Sequence, residues 1–330
     1  MRCVLAAGLI ATATAALAAD ALPRLNILPG SLTVSGVSSG GYMASQYQVS
    51  YSKDVIGAGI IAAGPWYCAQ GLLTRALDDC MKGGAIGPEI GPLVTALRNS
   101  AKAGDIDDPS WIVPDRVWIF HGKRDTVVGA AVTDSLLRFY RAFVPPERIQ
   151  YETQVEAAHG FPAAGRGCDC GVAQSPWIND CRYDAAGQLL KHLYDGLREP
   201  VGTVAGELRT FDQEPYATGG TLASFAESGF LFVPKDCAAG KPCHIHVAFH
   251  GCRQGIGFIG NRFARDAGYN PWADANRIVV LYPQVASSRV WPFNPKGCWD
   301  WWGYSGSGYA TRSGAQLASV RRMLAALGAR

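Results

Sequence analysis

Apolar residues in this chain fall into short, nearly unbroken runs that alternate with segments of helical spacing. Leu32 to Val37 reads as a strand, and Gly40-Gly41 open a helix pattern from Tyr42 to Tyr51. Val55 to Ala63 and Arg116 to His121 are apolar almost throughout, as expected of strands covered on both faces. Helical spacing recurs in parts of 69–80, in 90–102 and in 130–143. Arg148 to Val155 alternates as a strand, and Ala185 to Leu197 reads as a helix. After a connector at 198–207 come strands at Leu208 to Phe211, Gly229 to Val233 and His244 to His250. A helix from about Gly257 to Ala267, a strand from Arg277 to Tyr282 and a helix from about Ser313 to Leu327 close the pattern. Eight strands interleaved with helices predict one α/β domain on a single, mostly parallel sheet, over residues 19–330.

The first segment follows a different rule. Met1-Arg2 gives a short positive start, Cys3 to Leu17 carries no charge, and Ala16-Leu17-Ala18 fits the small-residue rule for leader cleavage. Residues 1–18 are therefore expected to be a signal peptide that directs the chain to a secreted, extracellular or periplasmic destination. Cysteine usage fits an oxidising compartment. Cys68–Cys80, Cys237–Cys243 and Cys252–Cys298 are plausible disulfides, and either Cys168 or Cys170 is the partner of Cys181. Neither Cys168-x-Cys170 nor His244-x-His246 has the spacing of a common zinc module, so no metal site is expected. Thirty basic against 27 acidic residues give a net charge of +3, too nearly balanced for a nucleic-acid footprint. No later window reads as a membrane span.

Chemistry concentrates first in Gly36-Val37-Ser38-Ser39-Gly40-Gly41, a G-x-S-x-G run between a strand and a helix. That turn projects the Ser38 hydroxyl from the sheet, and the Ser39 amide at the helix start faces a developing oxyanion. The competing reading is a turn serine that merely caps a helix. A serine nucleophile needs a base, and the base needs an orienting carboxylate. Asp125 follows the strand Arg116–His121, and His159 follows the strand Arg148–Val155 on a loop with small neighbours. The order Ser, Asp, His is that of α/β-hydrolases; His121 precedes Asp125 and is read as structural. His250-Gly251-Cys252 ends another strand, and the Cys252 amide is the candidate second oxyanion donor. Trp299 and Trp302, in a dense aromatic cluster, are candidate substrate-binding residues, with Trp66 and Tyr67 as an opposite wall.

The lipase-box run Gly36 to Ala44 resembles that of poly(3-hydroxybutyrate) depolymerases, as do Phe249 to Gln254, Gly268 to Asp274, Val279 to Gln284 and Cys298 to Trp302. The resemblance is to the circularly permuted type of that family. It implies an α/β-hydrolase fold in which the first half of the chain supplies the later strands of the sheet. It also implies Ser38 as nucleophile, His159 as base, Asp125 as its orienter and the His250-Gly251-Cys252 loop as part of the oxyanion site. Independently of the resemblance, His250 is a further candidate substrate-binding residue. No cofactor is implied, and the partner would be a polyester or oligoester. Secreted members often carry a separate polymer-binding domain after the catalytic one; this chain runs only to Arg330, which favours amorphous polymer or soluble oligomers. Two other readings compete: a secreted carboxylesterase of the feruloyl or acetylxylan esterase kind, and a disulfide-stapled binding protein without chemistry.

Overall fold

The computed structural model describes residues 20–329, so the expected leader lies outside the described residues. Eight strands form one sheet: β1 (Ile27–Val37), β2 (Val55–Ile61), β3 (Arg116–Phe120), β4 (Ile149–Glu152), β8 (Glu207–Asp212), β9 (Ser228–Val233), β10 (Cys243–Phe249) and β11 (Ile278–Tyr282). Three very short ones, β5 (Phe161–Ala163), β6 (Cys168–Asp169) and β7 (Ile178–Asp180), make a separate parallel sheet of order β5-β7-β6. In the large sheet the order is β4-β3-β2-β1-β10-β11-β9-β8. Every neighbouring pair is parallel except β11–β9 and β9–β8. The two halves of the chain meet at the centre, where Val34 of β1 pairs with Val247 of β10.

Period-two alternation explains the two cores. Val34, Ile60 and Val279 point to one face, under α1 (Ser39–Ser50), α3 (Ile90–Ala103), α4 (Ala130–Tyr140) and α10 (Ala315–Leu327). Ile61, Trp118 and Val280 point to the other, under α5 (Ala185–Leu193), α8 (Arg262–Asp266) and α9 (Tyr269–Asn276). The remaining helices, α2 (Leu73–Leu77), α6 (Lys235–Ala238) and α7 (Ile256–Ile259), are each a turn or so. Near the chain's two ends, the Leu25 amide donates to the Leu327 carbonyl at 2.9 Å.

Three expectations change in detail. The helix expected at 257–267 is two helices, α7 and α8, because Gly260 between them has φ +61°. The helix expected in 69–80 is the short α2 followed by a π-helical turn at Asp78–Lys82, tied down by Cys68–Cys80. Helix α9 was not expected: Pro271 argues against a helix, but it lies in the first turn, where its missing N–H costs nothing. Disulfides join Cys68–Cys80, Cys170–Cys181, Cys237–Cys243 and Cys252–Cys298, so Cys170 is the partner of Cys181 and Cys168 is a free thiol. Among the described residues no helix is long and apolar enough to cross a membrane.

Candidate active site

β1 ends in a sharp elbow. Ser38 has φ 58° and ψ −124°, a conformation that L-residues avoid, and its amide is held by the Ile61 carbonyl at 2.9 Å. The glycines around it are demanded by contact. A Cβ on Gly36 would stand 2.2 Å from the Gly40 carbonyl oxygen, and one on Gly40 only 2.3 Å from that of Phe249. Strand, helix and the end of β10 thus meet at backbone distance. The Ser38 side chain caps no helix amide, which removes the capping explanation for this serine.

Asp125 and His159 sit on the loops after β3 and β4. The His159 Nδ1–H donates to Asp125 Oδ2 at 2.8 Å, and Asp125 Oδ1 accepts from the Val127 and Val128 amides at 2.9 and 3.0 Å. Burial pushes the Asp125 carboxyl up, but its bond to His159, the imidazole charge and the two amides together hold it below the usual carboxylate range. The two loops are pressed together: a Cβ on Gly122 would meet the Ala157 carbonyl oxygen at 2.2 Å. The small sheet supports the His159 loop from beneath. Asn179 Nδ2 donates to the Ala158 and Cys170 carbonyls, both at 3.1 Å, and Cys170–Cys181 closes that support. His121 is buried, and its Nε2 lies 2.9 Å from the Val128 carbonyl, where it braces the Asp125 turn.

The loop after β10 completes the arrangement. Its Gly251 amide donates to Gln254 Oε1 at 2.6 Å, and the amides of Arg253 and Gln254 also have protein acceptors. Among the described residues the Cys252 amide, between them, has no acceptor. Ser39 is the first residue of α1, so its amide is one of the unpaired donors of a helix start. Gln254 Nε2 donates to the Trp177 carbonyl at 2.8 Å, and Trp177 in turn accepts from the Phe161 amide. That side chain therefore ties the Cys252 loop to the His159 loop.

Ser38, Ser39, His159 and Cys252 line one cavity of about 640 Å³. Its walls are mainly apolar and include Leu73, Leu77, Met81, Trp291, Trp301 and Trp302. Trp302 is part of that lining. Trp299 is not: it is fully buried, lines no part of the cavity and packs edge-on against Phe249, so it is core. His250 is likewise fully buried. Its Nδ1–H donates to the Gly251 carbonyl at 2.7 Å and its Nε2 accepts from the Val285 amide at 3.3 Å, so both ring nitrogens are spent on positioning the loop, and the side chain lines no part of the cavity. Burial lowers its pKa to about 4, against the opposing pull of the Gly251 carbonyl. Trp66 and Tyr67 also fall outside the cavity; the Trp66 indole is spent on the Ala310 carbonyl.

The sequence reading missed several contributors. Asp300 is buried and accepts from the amides of Trp302, Gly303 and Tyr304 on Oδ1 and from the Ser305 amide and hydroxyl on Oδ2, folding the aromatic wall around one carboxylate. Trp301 stacks on Tyr42 at 4.7 Å between centroids. Exposed Leu73, Leu77, Trp291 and Phe293 line the cavity, and Leu72 and Val290, next to them in sequence, are exposed too. Their signal was an apolar cluster in a segment rich in turn residues. Among the described residues, no group of three or more His, Cys, Asp or Glu gathers as a metal site.

A mostly parallel sheet with a serine elbow after its central strand, and with Asp and His loops after the next strands, defines an α/β-hydrolase, here in circularly permuted chain order. Comparison with known proteins narrows the class to carboxylic ester hydrolases. The chain belongs to the poly(3-hydroxybutyrate) depolymerase family. It is 37% identical over 330 residues to the polyhydroxybutyrate depolymerase of Talaromyces funiculosus, covering 95% of this chain and 94% of that protein. It is 38% identical over 312 residues to the poly(3-hydroxybutyrate) depolymerase of Delftia acidovorans, covering 93% of this chain but only 61% of that longer protein. Among solved structures, the PHB depolymerase from Penicillium funiculosum matches with a TM-score of 0.86 at 34% identity, covering 93% of this chain and 99% of that one. A serine-to-alanine variant of a PHB depolymerase, complexed with an R3HB trimer, matches with a TM-score of 0.85 at 33% identity over the same shares. No family model matches the chain.

Proposed function

We propose that the protein is an exported serine esterase that hydrolyses poly(3-hydroxybutyrate) or its oligomers. The observation that carries this reading is the Asp125–His159 bond opening onto one apolar cavity shared with Ser38. Ser38 Oγ attacks an ester carbonyl while His159 Nε2 takes its proton, and the Ser39 and Cys252 amides stabilise the oxyanion. The C–O bond then breaks, His159 returns the proton to the leaving alcohol, and water releases the acyl group from Ser38 by the same route. Asp125 holds Nδ1 protonated, so that Nε2 is free to act as base.

The substrate class rests on the walls. A polyester chain is extended, neutral and largely apolar, and suits a cavity bounded by Trp301, Trp302, Leu73 and Leu77. The exposed apolar side chains of Leu73, Leu77, Trp291 and Phe293 that line the cavity fit a water-insoluble surface. A related depolymerase complexed with an R3HB trimer supports oligomers as a minimal substrate. Four disulfides support export to an oxidising compartment, which N-terminal sequencing of the secreted protein tests by locating a start after residue 18.

Two assays test the reading. A serine-directed phosphonate should label the peptide at Ser38, and a label on Ser39 or elsewhere refutes the assignment. The protein should clear a polyhydroxybutyrate suspension; release of ferulate or acetate without clearing would place it among other carboxylesterases. Absence of both label and turnover would leave a binding protein.

A further inference from the structure

Two cations stand free in the wall of the cavity. Arg253 and Lys296 line it together with Ser38, His159 and Cys252. Both are exposed, and among the described residues neither takes part in an ion pair. Their loops are joined twice: the Arg253 amide donates to the Lys296 carbonyl at 2.7 Å, and the neighbouring Cys252–Cys298 disulfide links the same segments. Both are therefore brought to one rim, next to the candidate oxyanion amide. Among the described residues no Asp or Glu lines the cavity; Asp125 lies behind His159, and its side chain is 1% exposed. An otherwise apolar pocket thus has an unbalanced positive rim.

A neutral ester interior offers nothing to those charges. The free-acid end of an oligo(3-hydroxyalkanoate) does: it is a carboxylate near neutral pH, and Arg presents a planar fork that matches it. We infer that Arg253 and Lys296 form a receptor for the terminal carboxylate of a soluble oligoester, an inference that rests on the polyester reading above. Chain polarity fixes the consequence. In any cleavage, the acyl part transferred to Ser38 is the hydroxyl-terminal side, and the alcohol that leaves carries the original carboxyl end. Binding that end selects acid-terminated chains and holds the leaving alcohol: the ester C–O bond breaks, His159 supplies the proton, and the departing product is a hydroxy acid anion.

The test compares (R)-3-hydroxybutyrate trimer as the free acid and as its methyl ester. With both cations present, KM should be about 3- to 10-fold lower for the acid at low salt, the size expected of two exposed charge pairs. At about 0.5 M salt, where screening is several-fold shorter-ranged, the preference should shrink. In Arg253→Gln, Lys296→Gln and the double variant the acid-to-ester ratio should fall stepwise towards unity. Thermal melts of these surface variants report whether they are folded. Equal KM for acid and ester in the unmodified protein, or a ratio untouched in the folded double variant, overturns the inference while leaving esterase activity in place. Failure to cleave either trimer overturns the polyester reading, and this inference with it.

Discussion

Asp125→Asn is the sharpest probe of the proposed proton path. The substitution keeps size and shape, so its effect follows from hydrogen-bond polarity alone. In the native arrangement one carboxylate oxygen accepts from the Val127 and Val128 amides and the other from His159 Nδ1–H. Two fixed N–H donors will hold the asparagine carbonyl oxygen on their own side. Its NH2 group then points at His159 Nδ1, which must become the acceptor and pass its proton to Nε2. An imidazole protonated at Nε2 cannot take a proton from Ser38. The same change in an unrelated serine protease costs about 10⁴-fold in kcat, and a loss of that order is expected here, about 5.5 kcal/mol of transition-state stabilisation. Steady-state hydrolysis of p-nitrophenyl butyrate measures it, with circular dichroism to establish a folded variant. Combining it with His159→Ala should add little, because the two residues act as one unit. A folded Asp125→Asn variant within about tenfold of the parent's kcat would refute the tautomer argument.

Other perturbations separate packing from chemistry. Gly40→Ala should abolish activity and lower stability, since its methyl carbon would stand 2.3 Å from the Phe249 carbonyl oxygen; a soluble, active variant in a melt and esterase assay contradicts the close-approach account. Trp302→Ala should raise KM for an oligoester with little change in kcat, whereas Trp299→Ala should destabilise by about 3–5 kcal/mol in urea unfolding, as large core truncations do. Asp115 is 3% exposed, and burial raises its pKa to about 8, opposed by the Gln48 hydrogen bond and by Arg148. The folded state thus holds that proton more tightly than the unfolded one, so stability is full below about pH 4 and declines as pH rises towards 8. Asp115→Asn should flatten that decline. The sign is opposite for Asp125, whose carboxyl is held below its usual range: its contribution is present above about pH 4 and lost as pH falls through the lowered value, so Asp125→Asn should weaken the acid limb of the stability profile.

The parts of the site that were legible in the sequence share one property: local residue types carried them. Gly36, Ser38 and Gly40 announce an elbow because only small residues fit it, and Asp125 and His159 stand out by their place on loops that follow predicted strands. Apolar runs, and alternation for β4, marked all eight strands of the large sheet, with ends shifted by a residue or a few. What escaped depends on long-range contact. Trp299 and Trp302 differ by three positions and look alike in sequence; only the turn around Asp300 sends one into the core and the other to the cavity. The roles of Gln254 and Asn179 lie in which loops they join, and the strands of the small sheet are too short to leave a period. Helix α9 was hidden by its proline.

The seam at the centre of the sheet has a bearing on how the enzyme is born. Strand β1, which delivers Ser38, needs β10 as its partner, yet more than half the chain must be synthesised between them. A nascent polypeptide that has passed residue 160 already contains the hydroxyl, the carboxylate and the imidazole, but one edge of β1 is bare and the Cys252 amide does not yet exist. Hydrolytic competence should therefore arise in a single late event, when the second half docks, and synthesis interrupted before β10 should yield chains that neither fold nor react.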